Sequence, residues 1–195
     1  MCGGIRQTRQ LVLGALLLGS DRLNLLRGGF GIGGELGHIR VVPDGLLCGC
    51  GAHGCLEQYG SGTALLAAAR KLADAATAEG QTLRRLRDEA GELTGHQVYE
   101  AILQGDAGAL RLLSELGTWL GEAVASLTAV LDPEVLVIGG GVSAAGELLL
   151  DPIRKAYLAN LPARGFRPEL KIKAAEFDND AGVMGAADLV RLALA

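Results

Sequence analysis

The longest regular pattern in the chain lies in its second half. Leu112, Leu113, Leu116, Leu120, Val124, Leu127 and Val130 recur at three- and four-residue spacing. That period predicts one long amphipathic helix from an Asp106 cap to about Leu131, ended by Asp132-Pro133. Thr94 is placed to cap a shorter helix running to about Gln104. Alanine and leucine dominate residues 56–78, which predicts a helix interrupted near Gly60 to Gly62 and stopped at Gly80. Residues 81–94 read as a connector with a polar helical piece. Residues 135–138 and 170–174 are short apolar runs of strand length, separated by a helix over about 146–161. A final amphipathic helix is predicted over 181–194. Strand, helix, strand, helix in that order predicts an α/β layer with a parallel strand pair. Further upstream the pattern predicts a strand within 10–18, a glycine-rich loop within 28–56 and a short strand over 39–42.

Composition narrows the class. The chain has 195 residues, enough for a core, with 49% apolar content, a net charge of −4 and a pI near 5.4. An acidic chain argues against general nucleic-acid binding. Arg84, Arg85 and Arg87 are followed at once by Asp88, Glu89 and Glu92, the pattern of a solvated mixed-charge helix face. Aromatic residues make up 4% and are scattered, so no base-stacking platform is evident. No apolar run approaches the length needed to span a membrane. No internal repeat or low-complexity linker is present.

The candidate chemistry is concentrated between Gly34 and Gln58. His38, Cys48, Cys50 and Cys55 provide one imidazole and three thiolates, a closed set suited to tetrahedral structural zinc. Gly49, Gly51 and Gly54 let closely spaced side chains turn toward one point. The C-x-C-x4-C spacing is tighter than the usual C-x2-C knuckle. His53 lies inside the cysteine run as a competing ligand, and Cys2 is remote and reads as a free thiol. Reduced, metal-bound cysteines fit a cytoplasmic protein. Four protein ligands leave no open position for water, so the metal's role would be structural. Glu35 and Glu57 flank the cluster, and a closed metal site beside two carboxylates is a means of holding them rigidly against a polar ligand. Gly139, Gly140 and Gly141 follow a predicted strand, where open α/β sheets bind ligands, although a plain tight turn gives the same pattern.

The pattern G-E-x-G-H, then V-V-P-D-G-x-x-C-G-C-G-x-x-G-C-x-E-Q-Y-x-S-G, resembles the ROK family of repressors and sugar kinases. It is most similar to the bacterial glucokinases of actinobacterial type. The match is dense from Phe30 to Gly62 and continues through Leu131-Asp132-Pro133-Glu134, Ile138 to Val142 and Asp151 to Lys155. The resemblance implies the C-terminal domain of an actin-like ATPase (ribonuclease H-like) fold with a zinc knuckle. It implies zinc on His38, Cys48, Cys50 and Cys55, sugar contacts from Glu35, His38 and Glu57, and nucleotide approach at Gly139, Gly140 and Gly141. The implied reaction is transfer of a phosphoryl group from ATP, with Mg2+, to the 6-hydroxyl of a hexose, glucose in the first instance. A sugar-sensing domain of a ROK-type repressor is the alternative.

Three parts of the family pattern are absent, one of them a second phosphate motif, G-T-G-x-G-G-G, expected upstream of Glu35, where residues 11–19 lack its threonine and glycine cluster. The D-x-G-G-T phosphate loop and the N-D-x-N segment that carries the general base do not occur; Asn179-Asp180 is too near the C-terminus to take that role. Residues 1 to about 27 depart from the family pattern, and 28–195 read as the sugar-binding domain, with the zinc motif at 35–57. A truncated gene, a frameshift or a wrong start codon accounts for this, with the N-terminal ATPase domain missing. No catalytic residue is therefore expected in the chain, and little kinase activity from it alone. If the last helix lacks its usual cover, Val183, Leu189, Val190 and Leu192 favour association into a homo-oligomer.

Overall fold

A computed structural model of the chain describes the backbone of residues 10–14 and the whole of residues 35–75 and 77–175. The predicted helix over 181–194 and its apolar residues lie outside these, as do Cys2 and the Asn179-Asp180 pair. Three parallel strands, β1 (Gln10–Gly14), β2 (Val135–Gly139) and β3 (Lys171–Ala174), form a sheet in the order β1-β2-β3. Gln10 is in register with Val135 and Gly14 with Gly139, so both strands end on glycine at the same level. Val135 is in register with Lys171 on the other side. Leu136 and Ile138 are buried, while Val135, Val137 and Gly139 are half-buried. This is the alternation of a strand with one face in the core.

Six α-helices are described: α1 (Glu57–Gly60), α2 (Gly62–Asp74), α3 (Gln81–Ala90), α4 (Gly95–Leu103), α5 (Ala107–Leu131) and α6 (Glu147–Asn160). The break between α1 and α2 falls at Ser61, which is extended and whose hydroxyl accepts the Ala64 N–H at 3.1 Å. Thr94 forms a capping box with Gln97, and the Asp106 carboxylate accepts the Ala109 N–H at 2.8 Å. Both caps satisfy backbone donors that a helix start leaves unpaired. Arg85 pairs with Glu89 at 2.9 Å on an exposed face and Arg87 with Asp74 at 2.6 Å, whereas Arg84 is half-buried and donates to the Ala73 carbonyl at 2.9 Å, tying α3 to α2.

Helix α5 carries the core. Leu112, Leu113, Leu116, Leu120, Val124 and Leu127 are buried, each worth about 1.5–3 kcal/mol relative to an exposed position. The stripe stops before Val130, which is 80% exposed, while Thr128 and Leu131 of the same last turn face the core. Helix α6 lies close against α5 over Gly121, where a β-carbon would meet the Ile153 carbonyl oxygen at 2.4 Å. Tyr157, on the same face of α6, is buried and its hydroxyl accepts the Leu170 N–H at 3.1 Å, which ties α6 to the segment entering β3.

One expected element is not formed. Residues 39–42 make no strand; Arg40 forms a single antiparallel bridge with Cys55, and Leu47 another with His53. The reason is local: Val41 and Val42 both donate to the one carbonyl of Gly54, at 2.8 and 3.2 Å, so the ladder bends into a knuckle rather than extending.

Candidate functional site

The knuckle is built from turns. Pro43 and Asp44 reverse the chain, with Asp44 at φ 55° and Gly45 N–H donating to the Val42 carbonyl at 3.2 Å. Aspartate is among the few residues other than glycine that tolerate this left-handed conformation. A second turn closes where Gly51 N–H donates to the Cys48 carbonyl at 2.9 Å and Cys48 N–H to the Ala52 carbonyl at 2.8 Å. Gly54 is sterically fixed. It sits at φ +75°, and a β-carbon there would lie 1.7 Å from the Val42 carbonyl oxygen.

These turns bring the four predicted ligands together. One ligand atom from each of His38, Cys48, Cys50 and Cys55 lies within 4.8 Å of all the others. Cys48 Sγ is 3.6 Å from His38 Nδ1, and Cys50 Sγ is 3.7 Å from Cys55 Sγ. With bonds of about 2.3 Å to sulfur and about 2.05 Å to nitrogen, a tetrahedral zinc separates two sulfurs by about 3.8 Å and a sulfur and a nitrogen by about 3.6 Å. The Cys48–His38 and Cys50–Cys55 edges match those lengths, and the remaining pairs lie within 4.8 Å. A disulfide requires sulfurs about 2.05 Å apart, so the cysteines are free. Without a cation the thiols differ: the Cys50 backbone N–H draws Cys48 down to about 7, while burial and the neighbouring thiols push Cys55 up to about 11. Three thiolates so close repel one another, and a divalent cation removes that repulsion. His53 is not part of the set. Its Nδ1 is 3.0 Å from the Gly45 carbonyl oxygen.

Glu57 begins α1, immediately after Cys55 and Leu56, and Leu56 N–H donates to the Ile39 carbonyl at 2.9 Å. Its carboxylate reaches back over the turn Leu36–His38. A β-carbon at Gly37 would lie 2.8 Å from Glu57 Oε2. Glu35 starts the same turn, its carbonyl accepting the His38 N–H at 2.9 Å. Glu35 and His38 thus stand at the two ends of one turn, with the Glu57 carboxylate over its middle residue. Tyr59 is a supporting residue that the patterns did not single out. Its hydroxyl accepts the Leu46 N–H at 2.8 Å, and its ring lies 4.9 Å from that of Trp119 on α5. Its place two residues after Glu57, in the motif itself, was the available signal. Trp119 is half-buried and packs against the core.

At the other end, Gly140 adopts φ 84° and ψ 174°, a region open essentially to glycine alone. Gly139 ends β2, and Gly141 opens a 3-10 turn to Ala145 in which Ser143 Oγ donates to the Gly140 carbonyl at 2.7 Å. This turn is adjacent to the knuckle through α2: a β-carbon at Gly62, the first residue of α2, would meet Val142 Cγ2 at 3.0 Å. The Tyr99 hydroxyl holds the turn from α4 by donating to the Ala144 carbonyl at 3.1 Å.

An α/β layer in which a Cys3His knuckle is joined through α2 to a glycine turn at a strand end defines a class of protein. The ROK family model matches residues 22–193, and the chain belongs to that family. Among curated relatives, a glucokinase of Streptomyces coelicolor is 43% identical over 179 residues, covering 91% of this chain and 56% of the relative. Among solved structures, a ROK family glucokinase from Streptomyces griseus, in complex with glucose and AMPPNP, matches with a TM-score of 0.75 and 44% identity. The match covers 84% of this chain and 53% of that one. A ROK family transcriptional regulator matches with a TM-score of 0.69 at 25% identity, over 92% of this chain and 44% of that one. The chain therefore spans about half the length of the glucokinases it matches. Its α/β organisation is that of the sugar-kinase members and is consistent with the actin-like ATPase expectation. No described helix is long and apolar enough to cross a membrane.

Proposed function

We propose that this chain forms the sugar-binding half of a ROK-type glucokinase, whose reaction transfers the γ-phosphoryl group of ATP to the 6-hydroxyl of glucose. The observation that carries the reading is the Leu36–His38 turn, which begins at Glu35, ends at His38 and lies under the Glu57 carboxylate at Gly37. Carboxylates are strong acceptors for sugar hydroxyls, and two of them on a rigid turn fix the orientation of a hexose ring. The residues His38, Cys48, Cys50 and Cys55 would hold zinc. When bound, zinc there supplies structural bracing, since four protein ligands leave no position for substrate or water. Gly139, Gly140 and Gly141 would let the nucleotide approach the end of β2, and α2 joins that end to the sugar turn.

Phosphoryl transfer depends on positioning and on stabilisation of charge by metal and phosphate-binding loops. The D-x-G-G-T and N-D-x-N motifs do not occur in these 195 residues, so the groups here bind and orient rather than abstract the proton. The expected result is that calorimetry detects glucose binding to the zinc-loaded chain, while an enzyme-coupled glucose-phosphorylation assay detects no turnover. Absence of glucose binding with zinc in place would refute the sugar-site assignment, and robust turnover would refute the division of labour.

The structural match to a transcriptional regulator favours a second reading, a sugar-sensing domain. The higher identity to glucokinases favours the first. The DNA upstream of Met1 separates them: a D-x-G-G-T loop in any frame supports the kinase and a helix-turn-helix supports the regulator.

A further inference from the structure

We propose that Cys50 and Cys55 form an oxidative modification site: peroxide converts them to a disulfide, expels the metal and releases the Leu36–His38 turn, which begins at Glu35 and lies under the Glu57 carboxylate. The inference rests on the metal reading above and adds a regulatory chemistry to it.

The three cysteines are not equivalent. Cys48 is 4% exposed and Cys55 is fully buried, whereas Cys50 is exposed at the surface of the knuckle. A small oxidant meets the Cys50 sulfur first. The flanking glycines leave room for it, since β-carbons at Gly49 and Gly51 would have nothing within 4 Å. Once Cys50 is oxidised, the sulfur placed to attack it is Cys55, 3.7 Å away. The Cys48 sulfur also neighbours Cys50 within the cluster, but it lies against His38 Nδ1 at 3.6 Å. A Cys48–Cys50 bond would also close over a single intervening residue, while a Cys50–Cys55 bond closes over four.

The chemistry balances. The Cys50 thiolate attacks one oxygen of hydrogen peroxide, the O–O bond breaks, and hydroxide leaves as the sulfur becomes a sulfenic acid. The Cys55 thiolate then attacks that sulfur, forming the S–S bond and expelling a second hydroxide. Two thiolates lose two electrons in total, and one peroxide gains them. The metal is left with Cys48 and His38, half its ligand set, and dissociates. His38 is then no longer tied to the sulfurs behind it, and the Leu36–His38 turn, over which Glu57 lies, loses its brace.

The test uses the full chain with Cys2→Ser, which leaves the cluster intact. Zinc-loaded protein is treated with stepwise hydrogen peroxide while released zinc is followed by a chromogenic chelator. The free thiols are then alkylated and the protein is cut with trypsin. Residues 41–70 contain no internal lysine or arginine, so all three cysteines fall on one peptide, and fragmentation locates the link. The expected result is one zinc released per chain, alkylation at Cys48 alone and a Cys50–Cys55 link. Dithiothreitol with added zinc should reverse it, and glucose affinity should fall at least tenfold on oxidation. Zinc retained through the loss of two thiols, or a link that includes Cys48, would overturn the inference while leaving the metal reading intact. Unchanged glucose affinity after zinc release would overturn its connection to the sugar turn. A chain that neither contains nor takes up zinc would overturn the metal reading and this inference with it.

Discussion

Gly54→Ala and Gly49→Ala are the same chemical change inside the same cysteine block, and they should have opposite outcomes. At Gly54 the new β-carbon would sit 1.7 Å from the Val42 carbonyl oxygen, and the backbone is at φ +75°. Holding alanine in the left-handed region costs about 1–2 kcal/mol. The overlap is with backbone, so relief requires the knuckle to open. Opening strains the bonds from Val41 and Val42 N–H to the Gly54 carbonyl, at 2.8 and 3.2 Å, and from Gly54 N–H to the Leu46 carbonyl, at 2.8 Å. Each such bond is worth about 0.5–1.5 kcal/mol net. The combined penalty of about 3–6 kcal/mol corresponds to a loss of metal affinity on the order of 10²–10⁴-fold. At Gly49 a β-carbon meets nothing within 4 Å, so Gly49→Ala should leave affinity within about threefold. Zinc affinity is read by competition with a chelator of known strength, and far-UV circular dichroism confirms that the helical core persists. Gly54→Ala protein that binds one zinc as tightly as the parent would refute the steric account of the knuckle.

The thiols set a direction for pH. Metal binding displaces protons, so zinc affinity should rise with pH; Cys55, pushed up to about 11, sheds a proton on binding across the neutral range, while the contribution of Cys48 fades as pH passes about 7. Competition titrations from pH 6 to pH 9 check this, and affinity that is flat or falls with pH contradicts it. Gly121→Ala places a β-carbon 2.4 Å from the Ile153 carbonyl oxygen and should cost about 1–3 kcal/mol by forcing α5 and α6 apart, measured by urea unfolding with zinc present. An unchanged midpoint would mean that the two helices accommodate it without separating.

The helical part of the fold was legible because its signals are local. Thr94 and Asp106 are helix caps whose side chains bond within three residues, and the stripe on α5 follows from spacing alone. The parallel pair β2 and β3 was legible from the intervening helix. The failure at residues 39–42 has the opposite origin. Val41 and Val42 favour a strand, but both find the single carbonyl of Gly54, a partner twelve and thirteen positions away that no local pattern specifies. Val130 continues the three- and four-residue spacing yet is exposed, because at the end of α5 the face toward the core passes through Thr128 and Leu131 instead. In the site, the grouping of His38, Cys48, Cys50 and Cys55 was legible in their close spacing along the chain. The position of Glu57 over Gly37, the diversion of His53 to Gly45 and the Tyr59 bond to Leu46 were not, since each depends on how the turns fold back.

The most direct test of a metal-braced sugar site is a glucose titration by calorimetry on three samples: the zinc-loaded chain, the zinc-loaded Glu57→Gln chain and the chain stripped of zinc. The carboxylate accepts hydroxyl protons and the metal holds the turn beneath it, so glucose should bind the first sample only. Zinc content should be equal in the first two. Equal glucose binding by all three samples would contradict the account.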